Sequence, residues 1–133
     1  MLDGTGQRAE NRSTSGKVIL IVEDNEAHAT MLAQMLIETP YQVAVATDGF
    51  AALKFIRHIT PHLLILDCRL PEMNGIQLYD HLHANRTLEA IPAIIISANL
   101  DPYKDDIETR KLLGLSKPFD LDELLEIIQK VLA

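Results

Sequence analysis

Short apolar runs alternate with amphipathic stretches along most of the chain. The first run, Val18–Val22, is mostly β-branched and too short for a helix, which predicts a strand buried on both faces. A stretch with apolar residues at helical spacing follows it, and this succession of strand and helix is repeated to the end of the sequence. The other predicted strands are residues 41–46, 63–66 and 91–96 and the short Leu113–Ser116.

Residues that favour helix starts lie where the helices are predicted to begin. Asn25 follows the first strand and suits an N-cap. Asp101 and Pro102 predict the N-cap and the first position of the fourth helix. Asp120 and Glu123 form a D-x-x-E capping pattern before the last helix, which has a clear apolar stripe. The predicted helices therefore begin close behind the strands.

The alternation implies an α/β fold. We expect a doubly wound, five-stranded parallel sheet with helices on both faces, in a single domain over residues 16–133. Residues 1–15 are rich in small and polar types without a regular period, and they are predicted to be a disordered leader. In open sheets of this kind, functional groups collect at the carboxyl ends of the strands.

Composition limits the classes of function. The formal net charge of -7 argues against unassisted binding to nucleic acid or to an anionic membrane, because each needs a basic face. Cys68 is the single cysteine, so no intramolecular disulfide can form, and a cytoplasmic location is expected. No apolar run is long enough to span a bilayer. The 5 histidines are scattered along the chain, so we expect them at the surface or its boundary rather than in a metal site.

Polar residues follow the apolar strands at the edge where parallel strands end. Glu23 and Asp24 follow the first strand, and Asp67 follows the third. Ser97 follows the fourth strand and Lys117 the fifth. Each residue alone has an ordinary explanation, as a helix start, a loop residue or a solvated lysine. Their joint placement at one sheet edge favours a shared chemical role.

The residue types suggest which chemistry that role involves. Clustered carboxylates repel one another, and a divalent cation such as Mg²⁺, which prefers oxygen ligands, removes the conflict. A lysine ammonium and a serine hydroxyl can bind phosphoryl oxygens, and phosphoryl transfer needs mainly positioning and charge neutralisation. A carboxylate nucleophile would form an acyl phosphate, which is reactive enough to be a transient signal.

The segments around these residues resemble the receiver domain of bacterial response regulators, the phosphoacceptor modules of two-component signal transduction. The similarity extends over residues 16–133, and the segments occur in the order typical of the family. They are the stretch from Val18 to Asn25, the D-x-x-L-P-x-M-x-G segment from Asp67 to Gly75, the stretch from Ile94 to Ala98, and Lys117-Pro118-Phe119.

The resemblance implies a role for each site residue. Asp67 is the implied phosphoacceptor, and Mg²⁺ is held by Glu23, Asp24 and Asp67 with the backbone carbonyl of Arg69. Ser97 is the implied switch hydroxyl, which moves toward the phosphoryl group. Lys117 likewise pairs with that group, and its peptide bond to the following proline is cis in the family pattern.

The resemblance also implies a fold order and partners. The expected strand order is the flavodoxin-like 2-1-3-4-5. The expected phosphoryl donor is a sensor histidine kinase or a phosphotransfer protein, and the expected output is altered binding to a downstream protein target. The domain would act as a monomer or as a phosphorylation-dependent dimer, without direct contact to nucleic acid.

The region before Lys117 departs from the family pattern. Gly114 occupies the place of a usual aromatic residue, and the stretch from Ser97 to Lys117 is shorter than in typical members. We therefore expect a short or irregular fourth helix and fifth strand, and an altered output surface. Arg69 and Asn99 are each two residues beyond a site residue and are expected to influence the lifetime of the acyl phosphate.

Two other classes of function compete with the phosphoacceptor. An aspartyl-phosphate hydrolase would need a second carboxylate two residues after its nucleophile, where this chain has Arg69. We therefore expect no enzyme beyond self-phosphorylation and autodephosphorylation. The alternative that remains is a receiver-like interaction scaffold that is not phosphorylated, which the missing aromatic residue at Gly114 favours. Cys68 beside Asp67 is interpreted as a small apolar filler rather than a redox group.

Overall fold

Strands and helices alternate throughout the computed structural model, which describes residues 16–85, 88 and 90–132. The predicted leader, residues 1–15, lies outside the described residues. The strands are β1 (Val18–Val22), β2 (Gln42–Ala46), β3 (Leu63–Asp67), β4 (Ala93–Ser97) and β5 (Leu113–Ser116). The helices are α1 (Glu26–Met35), α2 (Gly49–Ile56), α3 (Gly75–His83), α4 (Lys104–Thr109) and α5 (Leu121–Leu132), and a 3₁₀ turn, Asp101–Tyr103, precedes α4.

The five strands form one parallel sheet in the order β2-β1-β3-β4-β5, which confirms the predicted fold and strand order. In this register Asp67 at the end of β3 is level with Ile96 on β4, and Ser97 is level with Ser116 on β5. All strands run the same way, so the loops that follow them emerge at a single edge. The polar residues of the motifs lie at that edge.

Two apolar layers cover the two faces of the sheet. Leu20 and Val22 of β1 pack into the layer beneath α2 and α3, whereas Ile19 and Ile21 pack into the layer beneath α1 and α5. Every residue of β3 is buried, as expected for a central strand covered on both faces. Each fully buried Leu or Ile contributes about 1.5–3 kcal/mol through removal from water. This packing holds the strand ends in fixed positions.

Local capping signals agree with the structure at both ends of the chain. The side chain of Asn25 accepts a hydrogen bond from the amide of His28 at the start of α1. Asp120 and Glu123 exchange side-chain to backbone hydrogen bonds of 2.8 and 3.1 Å, so the predicted capping pattern is confirmed. Within the described residues, no helix is both long enough and apolar enough to cross a bilayer.

The prediction for the start of the fourth helix is wrong. Asp101 lies inside the 3₁₀ turn, and the capping position is taken by Leu100, which makes no side-chain cap hydrogen bond. The amide of Asp101 instead donates a hydrogen bond to the side-chain oxygen of Asn99. The helix itself has 6 residues and β5 has 4, which confirms the expectation of short elements here.

Candidate functional site

Three carboxylates meet at the carboxyl edge of the sheet. One oxygen each from Glu23, Asp24 and Asp67 lie within 4.8 Å of one another. Glu23 is 1% exposed and Asp67 4%, whereas Asp24 faces solvent. Asp67 is the last residue of β3, and the other two directly follow the neighbouring strand β1. The sheet therefore gathers the acidic residues that the sequence separates by more than forty positions.

The ammonium of Lys117 lies between the two buried carboxylates. Its Nζ is 2.9 Å from Oε1 of Glu23 and 3.0 Å from Oδ2 of Asp67. Lys117 follows β5, and its amide donates to the carbonyl of Ser97 at the end of β4, which fixes the loop beside the acidic cluster. The lysine is therefore the positive charge within the site.

The electrostatics of the site follow from burial and from these contacts. Burial raises the pKa of Glu23, and proximity to Asp67 raises it further, against the opposing effect of Lys117. Burial alone would lower the pKa of Lys117, but its hydrogen bonds with Glu23 and Asp67 outweigh that effect, so the pKa of Lys117 is raised. The ammonium is thus charged at neutral pH, and it lies beside a cluster of three acidic side chains.

The loop between β3 and α3 wraps closely around Asp67. The amide of Arg69 donates to Oδ1 of Asp67 at 2.8 Å, so the main chain at Arg69 lies beside the carboxylate. A Cβ at Gly75 would stand 2.6 Å from the backbone oxygen of Asp67, and only glycine allows this approach. Gly75 also donates its amide to the carbonyl of Cys68. The loop residues of the motif therefore position Asp67.

Ser97 ends β4 with its hydroxyl turned back onto the following loop. Oγ donates to the backbone oxygen of Asn99 at 3.0 Å and accepts from the amide of Asn99 at 3.1 Å. Ser97, Asn99 and Arg69 line one small cavity of about 230 Å³ together with Tyr103. The two residues expected to influence phosphoryl lifetime are thus neighbours of the serine.

Cys68 is fully buried directly after Asp67. Burial, with a smaller effect from the negative charge of Asp67, raises the pKa of the thiol to about 12. A neutral, buried thiol is a poor nucleophile. This environment agrees with the interpretation of Cys68 as an apolar filler.

The donor set suits Mg²⁺. Glu23, Asp24 and Asp67 offer only oxygen atoms, which this ion prefers, and the exposed Asp24 leaves one side open to the waters that it retains. A cluster of three acidic side chains beside a single lysine favours a divalent cation. Because the amide of Arg69 is bonded to Asp67, its peptide unit is adjacent to the same carboxylate. The role of the Arg69 backbone carbonyl as an ion ligand stays a prediction.

The family model of the response regulator receiver domain matches residues 19–129. The chain belongs to this family. The receiver domain is the signal-receiving module of two-component systems, and the matched range includes all the site residues described above. It also includes Gly114, where the sequence departs from the family pattern.

Relatives and solved structures agree with this assignment. Sporulation initiation phosphotransferase F of Bacillus subtilis is 32% identical over 116 residues, covering 86% of this chain and 92% of that protein. The transcriptional regulatory protein ZraR of Escherichia coli is 34% identical over 117 residues, but the chain spans only 26% of its length. The receiver domain of the Pseudomonas aeruginosa sensor kinase PA1611, solved with magnesium in its active site cleft, has a TM-score of 0.79 and 28% identity, with 87% and 97% of the two chains covered.

Several neighbours of the receiver site were missed by the sequence analysis. The amide of Asn25 donates to Oε2 of Glu23 at 3.1 Å, and His28 Nδ1 lies 3.8 Å from Oε1 of the same carboxylate. The sequence predicted Asn25 only as a helix cap. Because Asn25 does cap α1, the first turn of that helix lies beside Glu23. The contact between Leu100 and Gly114 gave no signal in the sequence, because Leu100 lies in the loop after β4 and Gly114 lies on β5.

Proposed function

We propose that this receiver domain accepts a phosphoryl group on Asp67 from a sensor histidine kinase or a phosphotransfer protein. The observation that carries the proposal is the position of the Asp67 carboxylate, which is buried at a strand end, bonded to Lys117 and adjacent to Glu23 and Asp24. The relative from Bacillus subtilis, a phosphotransferase by name, supports the same chemistry.

Each group in the site has a task in that reaction. An oxygen of Asp67 attacks the phosphorus of the donor phosphohistidine; the P–N bond breaks, and the imidazole leaves with its electron pair. Lys117 moves its charge from the carboxylates to the phosphoryl oxygens, and Ser97 donates its hydroxyl to one of them. Glu23, Asp24, Asp67 and the carbonyl of Arg69 would hold Mg²⁺, which would supply further neutralisation of phosphoryl charge.

A protein donor needs a surface beside the phosphoacceptor. An apolar groove of about 410 Å³ opens next to Lys117 and is lined by Met31, Leu32 and Phe119. Met31 is half exposed there. Apolar side chains at the rim of a reactive site favour docking of another protein over capture of a small charged donor alone.

The signalling output is a change in binding to a downstream protein. The domain itself performs no chemistry on other molecules beyond taking and losing its own phosphoryl group. It acts in the cytoplasm, as a monomer or as a dimer formed on phosphorylation. The net charge of -7 makes a protein a more suitable target than nucleic acid.

The direct test is incubation with acetyl phosphate and Mg²⁺, followed by intact mass. We expect a gain of one phosphoryl group, which is lost without Mg²⁺ and in Asp67→Asn. Asp122→Asn, an exposed aspartate on α5, is the matched control and should be phosphorylated normally. Beryllofluoride binding, followed by ¹⁹F NMR, covers the case in which the domain accepts phosphoryl groups only from its protein donor.

The second candidate is a receiver-like scaffold that binds partners without phosphorylation. The observation that favours it is Gly114, which replaces the aromatic residue of the usual switch. A protein that takes up neither a phosphoryl group nor beryllofluoride, with or without Mg²⁺, would be assigned to this class.

A further inference from the structure

His83, the last residue of α3, contacts a backbone carbonyl oxygen with each of its two ring nitrogens. Nδ1 lies 2.8 Å from the carbonyl oxygen of Tyr79, and Nε2 lies 2.6 Å from that of Ile91. Both distances are those of hydrogen bonds. Tyr79 is one turn earlier on the same helix, whereas Ile91 lies in the segment that leads into β4. The imidazole therefore ties the end of α3 to the start of β4.

The two contacts restrict the protonation of the ring. A carbonyl oxygen only accepts hydrogen bonds, so each ring nitrogen has to donate one. A neutral imidazole has a single N–H, whereas the imidazolium has two. In a neutral ring, the lone pair of one nitrogen would face a carbonyl oxygen at 2.8 Å or less, which is repulsive. The arrangement around His83 is therefore satisfied only by the positively charged form.

The surroundings of the ring also favour a positive charge. The ring of Tyr79 stacks on that of His83, with the centroids 3.8 Å apart and the planes 23° from parallel. A cation gains energy on the face of an aromatic ring. His83 also lies in the last turn of α3, where the helix dipole is negative. Stacking and the helix end therefore act in the same direction as the two carbonyl oxygens.

Charged groups on the neighbouring elements complete this environment. Asp80 on α3 is acidic, and its pKa is lowered mainly by hydrogen bonds from Arg110 and further by the positive charge of His83. Arg110 follows α4 and compensates part of the Asp80 charge. Arg57 at the end of α2 and His81 on α3 line a cavity of about 460 Å³ of which His83 is not part. β4 contains no titratable residue.

His62 lies at the same edge of the sheet and binds in the opposite sense. Its Nδ1 accepts a hydrogen bond from the amide of Val18 at 3.0 Å, and its own amide donates to the carbonyl of Val18 at 2.8 Å. A ring nitrogen that accepts a hydrogen bond carries no proton. The fold therefore needs a neutral imidazole at His62 and a charged one at His83.

We propose that His83 is a proton-dependent latch between α3 and β4, closed while its imidazole carries both ring protons. Loss of one proton to the solvent leaves a single N–H, so one of the two contacts opens and the other remains. α3 begins at Gly75, in the loop after Asp67, and β4 ends at Ser97. The latch therefore joins, at the opposite edge of the sheet, two elements that hold the site. It does not rest on the proposed phosphoacceptor function.

NMR of the ¹⁵N-labelled histidine rings in the full chain tests the latch directly. At pH 7 we expect both ring nitrogens of His83 to give the signals of protonated nitrogens, whereas Nδ1 of His62 gives that of an unprotonated one. His81 is the matched control, because it is exposed on the same helix and its ring makes no hydrogen bond within the described residues. An unprotonated nitrogen on His83 at pH 7, as on His81, would overturn the proposal.

Thermal unfolding of His83→Gln at pH 6 and pH 9 tests the coupling to stability. A histidine whose charged form is bound stabilises the folded state below the ordinary histidine pKa of about 6.5, and this contribution is lost as pH rises and the folded protein releases the proton. The Tm deficit of His83→Gln relative to the unmodified protein should therefore be larger at pH 6 than at pH 9, by roughly 4 °C.

His81→Gln provides the control for this measurement, and its Tm deficit should be the same at both pH values. A deficit of His83→Gln that does not change with pH would contradict the latch. The NMR measurement uses the unmodified protein, so it decides the proposal even where His83→Gln does not fold.

Discussion

Lys117 Nζ lies 2.9 Å from Glu23 Oε1, an ion pair between residues 94 positions apart in the chain. Glu23 is almost fully buried, whereas the lysine is 22% exposed. The ammonium therefore compensates a carboxylate that water cannot reach. The same ammonium is within hydrogen-bond distance of Asp67, so the pair ties the electrostatics of Glu23 to those of Asp67.

Removal of the Lys117 charge should destabilise the domain, and added Mg²⁺ should restore part of the lost stability. Lys117→Met leaves Glu23 and Asp67 without their cation, and we expect the free energy of unfolding at neutral pH to fall by about 2–4 kcal/mol. Mg²⁺ should raise the Tm of the variant more than that of the unmodified protein, because it binds the folded state and supplies the missing charge. Thermal unfolding with and without Mg²⁺ measures both effects.

An exposed lysine provides the control for that experiment. Lys54→Met on α2 removes one positive charge far from the acidic cluster and should change Tm little in either condition. An equal response of the two variants to Mg²⁺ would contradict the role given to Lys117.

Gly75 should tolerate no side chain. In Gly75→Ala the new Cβ would meet the backbone oxygen of Asp67 at 2.6 Å, so the main chain at Asp67 must shift. We expect a loss of about 1–3 kcal/mol in stability and slower phosphorylation by acetyl phosphate. In Gly49→Ala the new Cβ meets only the flexible side chain of Met73, so its effect should be smaller. Unfolding in urea and the phosphorylation rate test the contrast.

The contact between Asp80 and Arg110 should give a stability that depends on pH. Hydrogen bonds from Arg110 hold the pKa of Asp80 below its ordinary value of 3.8. Below that value the unfolded chain binds protons more readily than the folded one, so the contribution is complete above pH 3.8 and is lost as pH falls through the folded pKa. Asp80 is half exposed, and solvent screening limits the effect to about 0.5–1 kcal/mol.

Urea unfolding of Asp80→Asn over a range of pH measures this contribution. The variant should be less stable than the unmodified protein at neutral pH, and the difference should shrink as pH falls below 3.8. Asp106→Asn, whose side chain accepts from one nitrogen of Arg110 only, should lose less. A difference that is independent of pH would show that the contact is not electrostatic.

Arg69 should prolong the life of the acyl phosphate. Its side chain is exposed and lines the cavity beside Ser97, from which water would reach the phosphoryl group. In Arg69→Ala the backbone amide that bonds Asp67 is retained, so phosphorylation should proceed and decay should become faster. Loss of ³²P label over time measures the rate, and Arg57→Ala, at an exposed residue at the C-terminal end of α2, is the control. A decay rate equal to that of the unmodified protein would remove this role.

The local pattern of apolar and polar residues predicted the strands and their order along the chain. It also predicted the position of the site. Short β-branched runs such as Val18–Val22 specify buried strands wherever they occur, because the period of side-chain burial is a local property. Because parallel strands run in the same direction, they end at the same edge of the sheet. The residues that follow them were therefore expected to lie close together. The motif around Asp67 indicated the family, and the family model that matches residues 19–129 confirms this prediction.

The contacts among those residues depended on packing between distant parts of the chain. Lys117 could have pointed to solvent, and only the closeness of β1, β3 and the loop after β5 directs it to Glu23 and Asp67. Asp101 was expected to cap a helix, but the side chain of Asn99 binds its amide and a 3₁₀ turn forms instead. Leu100 lies beside Gly114 because the fold brings the loop after β4 close to β5, an arrangement that no local period encodes.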